Sequence, residues 1–501
     1  MERASGVLMP ISALPGPYGI GCFGKDAYDF VDFLARSEQR YWQVLPLTTT
    51  SYGDSPYQSF SAYAGNPYFI DLDALQWDDL LKDEDLEGLD WGSDPQQVDY
   101  AAIFRARRVA LERAVERFAA APPEDFAAFC ERNASWLQPY CEYMCVKEEF
   151  GLRAYHEWPR EYRRRGAASA ELCGRHPERI LYHQMTQYLF YQQWNDLKAY
   201  ANERGVLVVG DLPIYVSRDS VEMWAQPELF LVDADGTPTD VAGTPPDQFS
   251  ATGQYWGNPI YDWEAMAQDG YAWWVERMRW TLSLYDVVRL DHFRGFESFW
   301  DVPFGSATSA AGDWAKGPGM ALFDELRRQL GDLPIIAEDL GFLTPEVLDM
   351  RDATGFPGMK ILQFAFDGAN ESYYMPHRYV ANTVAYVGTH DNQTLRGWWE
   401  AATDAQRAQA DRYLHRAPDE LPSQAFCRGI AASVSDTCIY TMQDLLDLGD
   451  EARMNTPATV GGNWCWRMRE GALAPGLEAY LRDLSETYAR VPGAPEPPLP
   501  Q

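Results

Sequence analysis

Short β-branched runs, each closing on a polar cluster, recur along the chain, and helical patterns separate many of them. Such alternation predicts parallel strands joined by helices rather than a set of hairpins. Eight runs qualify: GVLMPIS near Gly6, YWQVLPL near Tyr41, VLVVGD near Val206, VVRLDHF near Val287, PIIAED near Pro334, KILQFAF near Lys360, TVAYVGTHD near Thr383 and CIYTMQD near Cys438. After the first, Ala27, Phe30, Val31 and Leu34 fall at i, i+3, i+4 and i+7, one face of an amphipathic helix. Before the third, Phe190, Trp194, Leu197 and Ala201 share a face, and Gly205 stands where a helix would stop. Eight strands with polar C-terminal ends predict an α/β fold, a (β/α)8 TIM barrel with its site at that end.

The spacing of the runs is uneven. About a hundred residues of mainly helical pattern follow the second strand, too many for one βα unit. A single catalytic barrel spanning 1–501 is therefore expected to carry a mainly helical insertion at 74–180 and a smaller loop insertion at 219–262. Residues 492–501, PGAPEPPLPQ, read as a proline-rich tail.

Composition narrows the function classes. With 46% apolar and 23% charged residues over 501 positions, the chain is a folded protein. Its 42 basic against 74 acidic residues give a net charge of −32, which repels phosphate backbones and acidic lipid surfaces. Neither nucleic acid nor a membrane is an expected partner. A neutral ligand is indifferent to that charge, and 18 Trp, 29 Tyr and 23 Phe supply flat faces suited to sugar rings as well as to core packing. The eight cysteines form no CxxC pair and have no histidine at zinc-ligand spacing, so they are expected as buried free thiols, with no metal site. The N-terminal apolar stretch is too short for a signal sequence, and no run reaches about 18 apolar residues, so a cytoplasmic location is expected.

Gly19, Gly21 and Gly24 match GxGxxG, but Pro15 and Pro17 separate them from the preceding strand, so a tight loop is expected rather than a dinucleotide site. No GxxxxGK[ST], GxSxG or HExxH is present. What remains is a set of acids closing different strands: Asp211, Asp291, Glu338 with Asp339, and Asp391. A lone strand-end Asp is most often a helix cap. Several on successive strands, with arginine and histidine beside them, point to catalysis. Arg289 and Asp291 are two apart on a strand and share a face, where the guanidinium favours an ionised carboxylate. Glycoside cleavage with retention needs one ionised carboxylate and one protonated carboxyl, roles that suit Asp291 and Glu338, with Asp391 as a third acid able to hold a distorted ring. Neighbouring negative charge is expected to keep Glu338 protonated. An inverting pair would use the same residue types at larger separation.

The blocks SGVLMPISALPGPYGIGCFG, WQVLPLTTTSYGDSPYQSFSAYAGNPYFIDL, VGDLPIYV, GTPPDQFSATGQYWGNPIYDW, VVRLDHFRGF, IIAEDLG, GFPGMKILQFAF, YVGTHDNQT and RMNTP with NWCWR, in this order over nearly the whole chain, resemble the amylomaltases, the 4-alpha-glucanotransferase relatives of the alpha-amylases. The resemblance implies a (β/α)8 barrel, no cofactor, and retaining transfer of glucan segments to a sugar 4-hydroxyl. It assigns the nucleophile to Asp291, the acid/base to Glu338 and transition-state stabilisation to Asp391. It further implies that Tyr57 packs beside the donor sugar, that Asp211, Arg289, His292 and His390 contact sugar or tune charge, and that Asn463 reaches the site. The stretch 243–256 resembles a loop over the cleft, with Asp247, Phe249 and Trp256 holding the acceptor and excluding water. Gln248 and Gln393 depart from the family pattern, and the first bears on acceptor handling and ring closure, so the resemblance implies no cyclisation profile. The expected partners are maltooligosaccharides, amylose and related alpha-1,4-glucans, with the protein a monomer or weak homo-oligomer. The competing readings are a retaining alpha-glucan hydrolase with water as acceptor and a catalytically silent glucan-binding protein.

Overall fold

The eight predicted runs all become strands, joined by four that the sequence pattern does not announce. In a computed structural model describing residues 1–246, 251–368 and 372–493, the strands are β1 (Ala4–Leu8), β2 (Tyr41–Gln43), β3 (Leu207–Leu212), β4 (Asp240–Thr244), β5 (Gln254–Pro259), β6 (Val287–Leu290), β7 (Ser298–Pro303), β8 (Asp313–Lys316), β9 (Ile335–Ala337), β10 (Gly358–Ile361), β11 (Thr383–Tyr386) and β12 (Thr437–Thr441). β1, β2, β3, β6, β9, β10, β11 and β12 close in that order into a parallel (β/α)8 TIM barrel.

Side-chain alternation fills the barrel. Ala4, Leu8, Tyr41, Val209, Val287, Ile336, Met359, Ile361, Val384, Tyr386 and Ile439 form its apolar interior. Two residues further along their strands, the inward positions turn polar, as Asp211 after Val209 and Arg289 after Val287. A hydrogen bond from Tyr386 Oη to Gln43 Oε1, 2.8 Å, floors this polar layer. The periodicity also holds in the helices: Lys25–Arg36 buries Ala27, Phe30, Val31 and Leu34, and Pro177–Glu203 buries Phe190, Trp194, Leu197 and Ala201. Gly205 follows with φ +76°, the left-handed geometry that ends a helix cheaply only at glycine.

Helices Leu72–Trp77, Tyr100–Ala120, Phe126–Arg132, Ala134–Glu149 and Ala167–Arg175 lie between β2 and β3. Both expected limits of the insertion, 74 and 180, fall inside helices, the second within Pro177–Glu203. The 219–262 excursion is more than a loop. Its strands β4 and β5 join β7 and β8 in an antiparallel sheet ordered β5-β4-β7-β8, so it is completed by residues that follow β6. The glycine-rich segment is a packed loop, since a Cβ on Gly21 would lie 1.9 Å from the Ile11 carbonyl oxygen. All eight cysteines are free, and Cys130 and Cys465 are half-buried where full burial was expected. The tail from 494 onward lies outside the described residues. Among the described residues, no helix is long and apolar enough to cross a membrane.

Arg490, just beyond helix Pro475–Thr487, is fully buried at the seam where β12 meets β1. It donates to the carbonyls of Ala4, Ala431, Ser435 and Asp436 at 2.8–3.0 Å. Arg490→Ala removes its donations to all four carbonyls, of which Asp436 keeps the Ala4 amide and Ser435 keeps Arg3 Nη1, and should cost about 3 kcal/mol. In urea unfolding the midpoint should fall with little change in slope; an unmoved midpoint would mean that strand pairing alone closes the barrel.

Candidate active site

The polar layer is assembled by register. β3 and β6 pair with Asp211 opposite Arg289, and both side chains face inward. Arg289 Nη1 lies 2.8 Å from both carboxylate oxygens of Asp211 and 2.9 Å from Oδ1 of Asp291, two residues along its own strand direction. Burial opposes the Arg289 charge, but the two carboxylates outweigh it and hold its pKa well above the ordinary range. Tyr57 Oη donates to Asp211 Oδ2 at 2.8 Å and lies 2.9 Å from His390 Nε2, while the Tyr57 and His390 rings stack at 5.4 Å. Trp464 packs on both rings, at 5.7 Å and 6.0 Å.

Glu338 directly follows β9, the neighbour of β6. His292 adopts left-handed backbone angles, φ 49° and ψ 49°, and its amide donates to Glu338 Oε2 at 2.8 Å. The Leu340 amide donates to Oε1 at 3.0 Å. A non-glycine residue in this conformation is strained. Here it accompanies an amide aimed at the carboxyl. The Glu338 pKa is pushed up to about 8, first by burial, with Arg289 opposing and the Asp291 charge adding to the rise. The expected protonated state is thus held mainly by desolvation rather than by neighbouring charge. Burial also lowers the His292 pKa to about 4, so its ring is neutral near pH 7. Trp256 meets that ring edge-on at 4.8 Å.

Asp391 sits at the same rim. Asn455 Nδ2 donates to its Oδ1 at 2.6 Å, Arg453 Nη2 donates to its main-chain carbonyl at 2.8 Å, and His390 Nε2 lies 3.4 Å from Oδ2. Asn455 and Arg453 belong to the RMNTP block, yet neither was singled out from sequence. Asn463 was expected to reach the site, but its side chain holds its own loop, accepting from the Thr456 amide at 3.0 Å and donating to Thr459. Asp339, beside Glu338, points away into a structural pair with Arg351 at 2.6 Å and an amide bond from Met359. Gln393 donates to Asp450 Oδ2 at 2.7 Å. Asp247, Gln248 and Phe249 lie outside the described residues. Tyr57, Asp211, Arg289, Asp291, His292, Glu338, His390, Asp391 and Trp256 are thus brought to one end of the barrel. Among the described residues, no group of three or more His, Cys, Asp or Glu side chains is placed to hold a metal ion.

The sequence model of the family described as 4-alpha-glucanotransferase matches residues 9–473. The 4-alpha-glucanotransferase of Streptococcus pneumoniae is 56% identical over 494 residues, covering 98% of each chain. That of Clostridium butyricum is 44% identical over 485 residues, covering 96% of this chain and 100% of the relative. The amylomaltase from Streptococcus agalactiae, solved in complex with acarbose, superposes with a TM-score of 0.96 at 46% identity, covering 98% of this chain and 100% of that one.

The Glu338 environment generates a pH test. Its folded pKa of about 8 exceeds the unfolded value of about 4.3, so the native state keeps a proton that the unfolded chain has released between those limits. The Glu338 contribution to stability is therefore fully present below about pH 4.3 and is lost as pH rises through 8. Glu338→Gln should gain stability relative to the parent between pH 5 and about 9 in urea titrations. A difference that is flat with pH would rule out a raised Glu338 pKa.

Proposed function

The chain belongs to the 4-alpha-glucanotransferase family, and on that premise we propose that it moves alpha-1,4-glucan segments between maltooligosaccharides by retaining double displacement on Asp291 and Glu338. The observation that carries the mechanism is a buried, protonated carboxyl beside a carboxylate paired with Arg289 at 2.9 Å. These are the two protonation states the first half-reaction needs. Asp291 attacks the anomeric carbon while Glu338 gives its proton to the departing 4-oxygen, leaving a glycosyl ester on Asp291 and an ionised Glu338. In the second half, Glu338 takes the proton from an acceptor 4-hydroxyl as that oxygen attacks the anomeric carbon and frees Asp291. The chemistry is symmetric, so a sugar acceptor restores the bond that was broken.

Asp391, held by Asn455, takes the role of binding sugar hydroxyls of a distorted ring, a reading its hydrogen bond from Asn455 supports. Tyr57 offers its ring to the donor sugar and its hydroxyl to Asp211. Trp256, braced against His292, supports the reading that the β4–β5 segment holds the acceptor. Transfer exceeds hydrolysis only when a sugar occupies the attack position more often than water, and a covered cleft favours that outcome. Amylose and other alpha-1,4-glucans are the substrate class this site suits. A hydrolase reading would rest on the same carboxylates and lacks a structural observation in its favour.

Incubation with maltotriose alone should yield glucose, maltopentaose and a longer ladder resolved by chain length; glucose and maltose only would replace the transferase reading with the hydrolase. Asp291→Asn and Glu338→Gln should each lower turnover by roughly three orders of magnitude or more. The kcat/KM profile should fall on the alkaline side as Glu338 ionises near 8; a profile flat through that range would remove Glu338 as the proton donor.

A further inference from the structure

The antiparallel sheet over the barrel rim leaves large apolar side chains in water where its packing does not require it. Trp314, on the outermost strand β8, is 44% exposed. The cross-strand register aligns it with Trp300, and the two rings meet edge to face at 5.1 Å. Beneath Trp314 lies the guanidinium of Arg294, 3.8 Å from the ring centroid and almost wholly buried. Arg294 Nη2 donates to Ser298 at 3.0 Å, Nη1 donates to the Phe342 carbonyl at 2.6 Å, and Nε has no partner among the described residues. Phe342 itself is 52% exposed.

Chain positions link these groups to the cleft. Arg294 is three residues beyond Asp291, and Phe342 four beyond Glu338, so both stand on the loops that carry the proposed catalytic pair. Three residues of chain reach at most ~11 Å. β8 lies three strand spacings, about 14 Å, from β5, which carries Trp256. A tryptophan on an open edge strand is an association hazard in a chain that does not use it. One face of this ring is fixed by Arg294 and the neighbouring tryptophan, so a flat ligand meets it without ordering a mobile side chain.

We propose that Trp314 and Phe342, locked to the rim by Arg294, form a distal acceptor-side subsite for the continuing chain of an alpha-1,4-glucan. The assignment rests on the transferase reading for its substrate and on continuity with the cleft for its occupant. Uncharged sugar rings suit the surface because aromatic faces recognise their apolar sides, and the acidic protein does not repel them. Short oligosaccharides end before reaching it. Long ones gain contacts outside the reacting residues, which favours long acceptors over short ones.

The test uses the full chain silenced by Asp291→Asn, with retardation in amylose-containing native gels as the readout. Adding Trp314→Ala and Phe342→Ala together should weaken the apparent affinity for amylose about tenfold, and Trp314→Phe should keep most of it. In the active enzyme the double substitution should lower the ratio of kcat/KM on amylose to that on maltotriose by about the same factor. An unchanged ratio, or equal losses on both substrates, would overturn the subsite and leave these residues as a tie between sheet and rim. Phe342→Ala alone, in an exposed loop, gives the same comparison if Trp314→Ala disturbs folding. Failure of the parent to disproportionate maltotriose would remove the transferase reading, while gel retardation would still report on the aromatic surface.

Discussion

The guanidinium of Arg289 lies between the carboxylates of Asp211 and Asp291 with almost no contact with water, and the upper end of the barrel is organised around that charge. A cation at such a depth is tolerable only with paired anions at hydrogen-bond distance. β3 must therefore pair with β6 in one register, because a one-residue slip would turn Asp211 outward and leave Arg289 with half its partners. An apolar pair of similar volume would serve stability as well or better. The arrangement is better understood as positioning, since it fixes where the Asp291 carboxylate stands and ties it through Asp211 to Tyr57 and His390.

Glu338 occupies the adjoining strand end under a different balance. It has no salt bridge among the described residues, accepts two main-chain amides and is removed from water, and burial raises its pKa despite the nearby arginine. Two carboxyl groups at neighbouring strand ends thus stand in different surroundings: Asp291 is paired with a cation, and Glu338 is desolvated with its pKa raised. His292 contributes to this division through its backbone rather than its ring. Its left-handed conformation aims an amide at Glu338, while the neutral ring supports Trp256.

The rim sheet extends the same logic outward. Its strands come from segments on either side of β6, so the sheet and the loop bearing the proposed nucleophile are built together. Family membership supplies the activity, and the geometry supplies a desolvated carboxyl at Glu338, a carboxylate of Asp291 paired with Arg289, and the Tyr57 and Trp256 rings at the same end of the barrel.

The eight barrel strands, the helix faces and the strand-end acids were legible in the chain because each depends on side-chain alternation or helical period over fewer than a dozen residues. The inward pairing of Arg289 with Asp291 followed from the same rule of two. Residues outside that range were not legible. The four-stranded sheet joins segments separated by some forty residues, and neither half carries a pattern that announces the other. Asn455 and Asn463 stand in adjacent motif blocks, and only the path of their loop decides that one bonds Asp391 and the other bonds the loop itself. The proton on Glu338 was expected from neighbouring charge, whereas desolvation dominates it. Local sequence sets periodicity and residue chemistry; burial and long-range contacts are properties of the assembled chain, and they decided which acid keeps its proton.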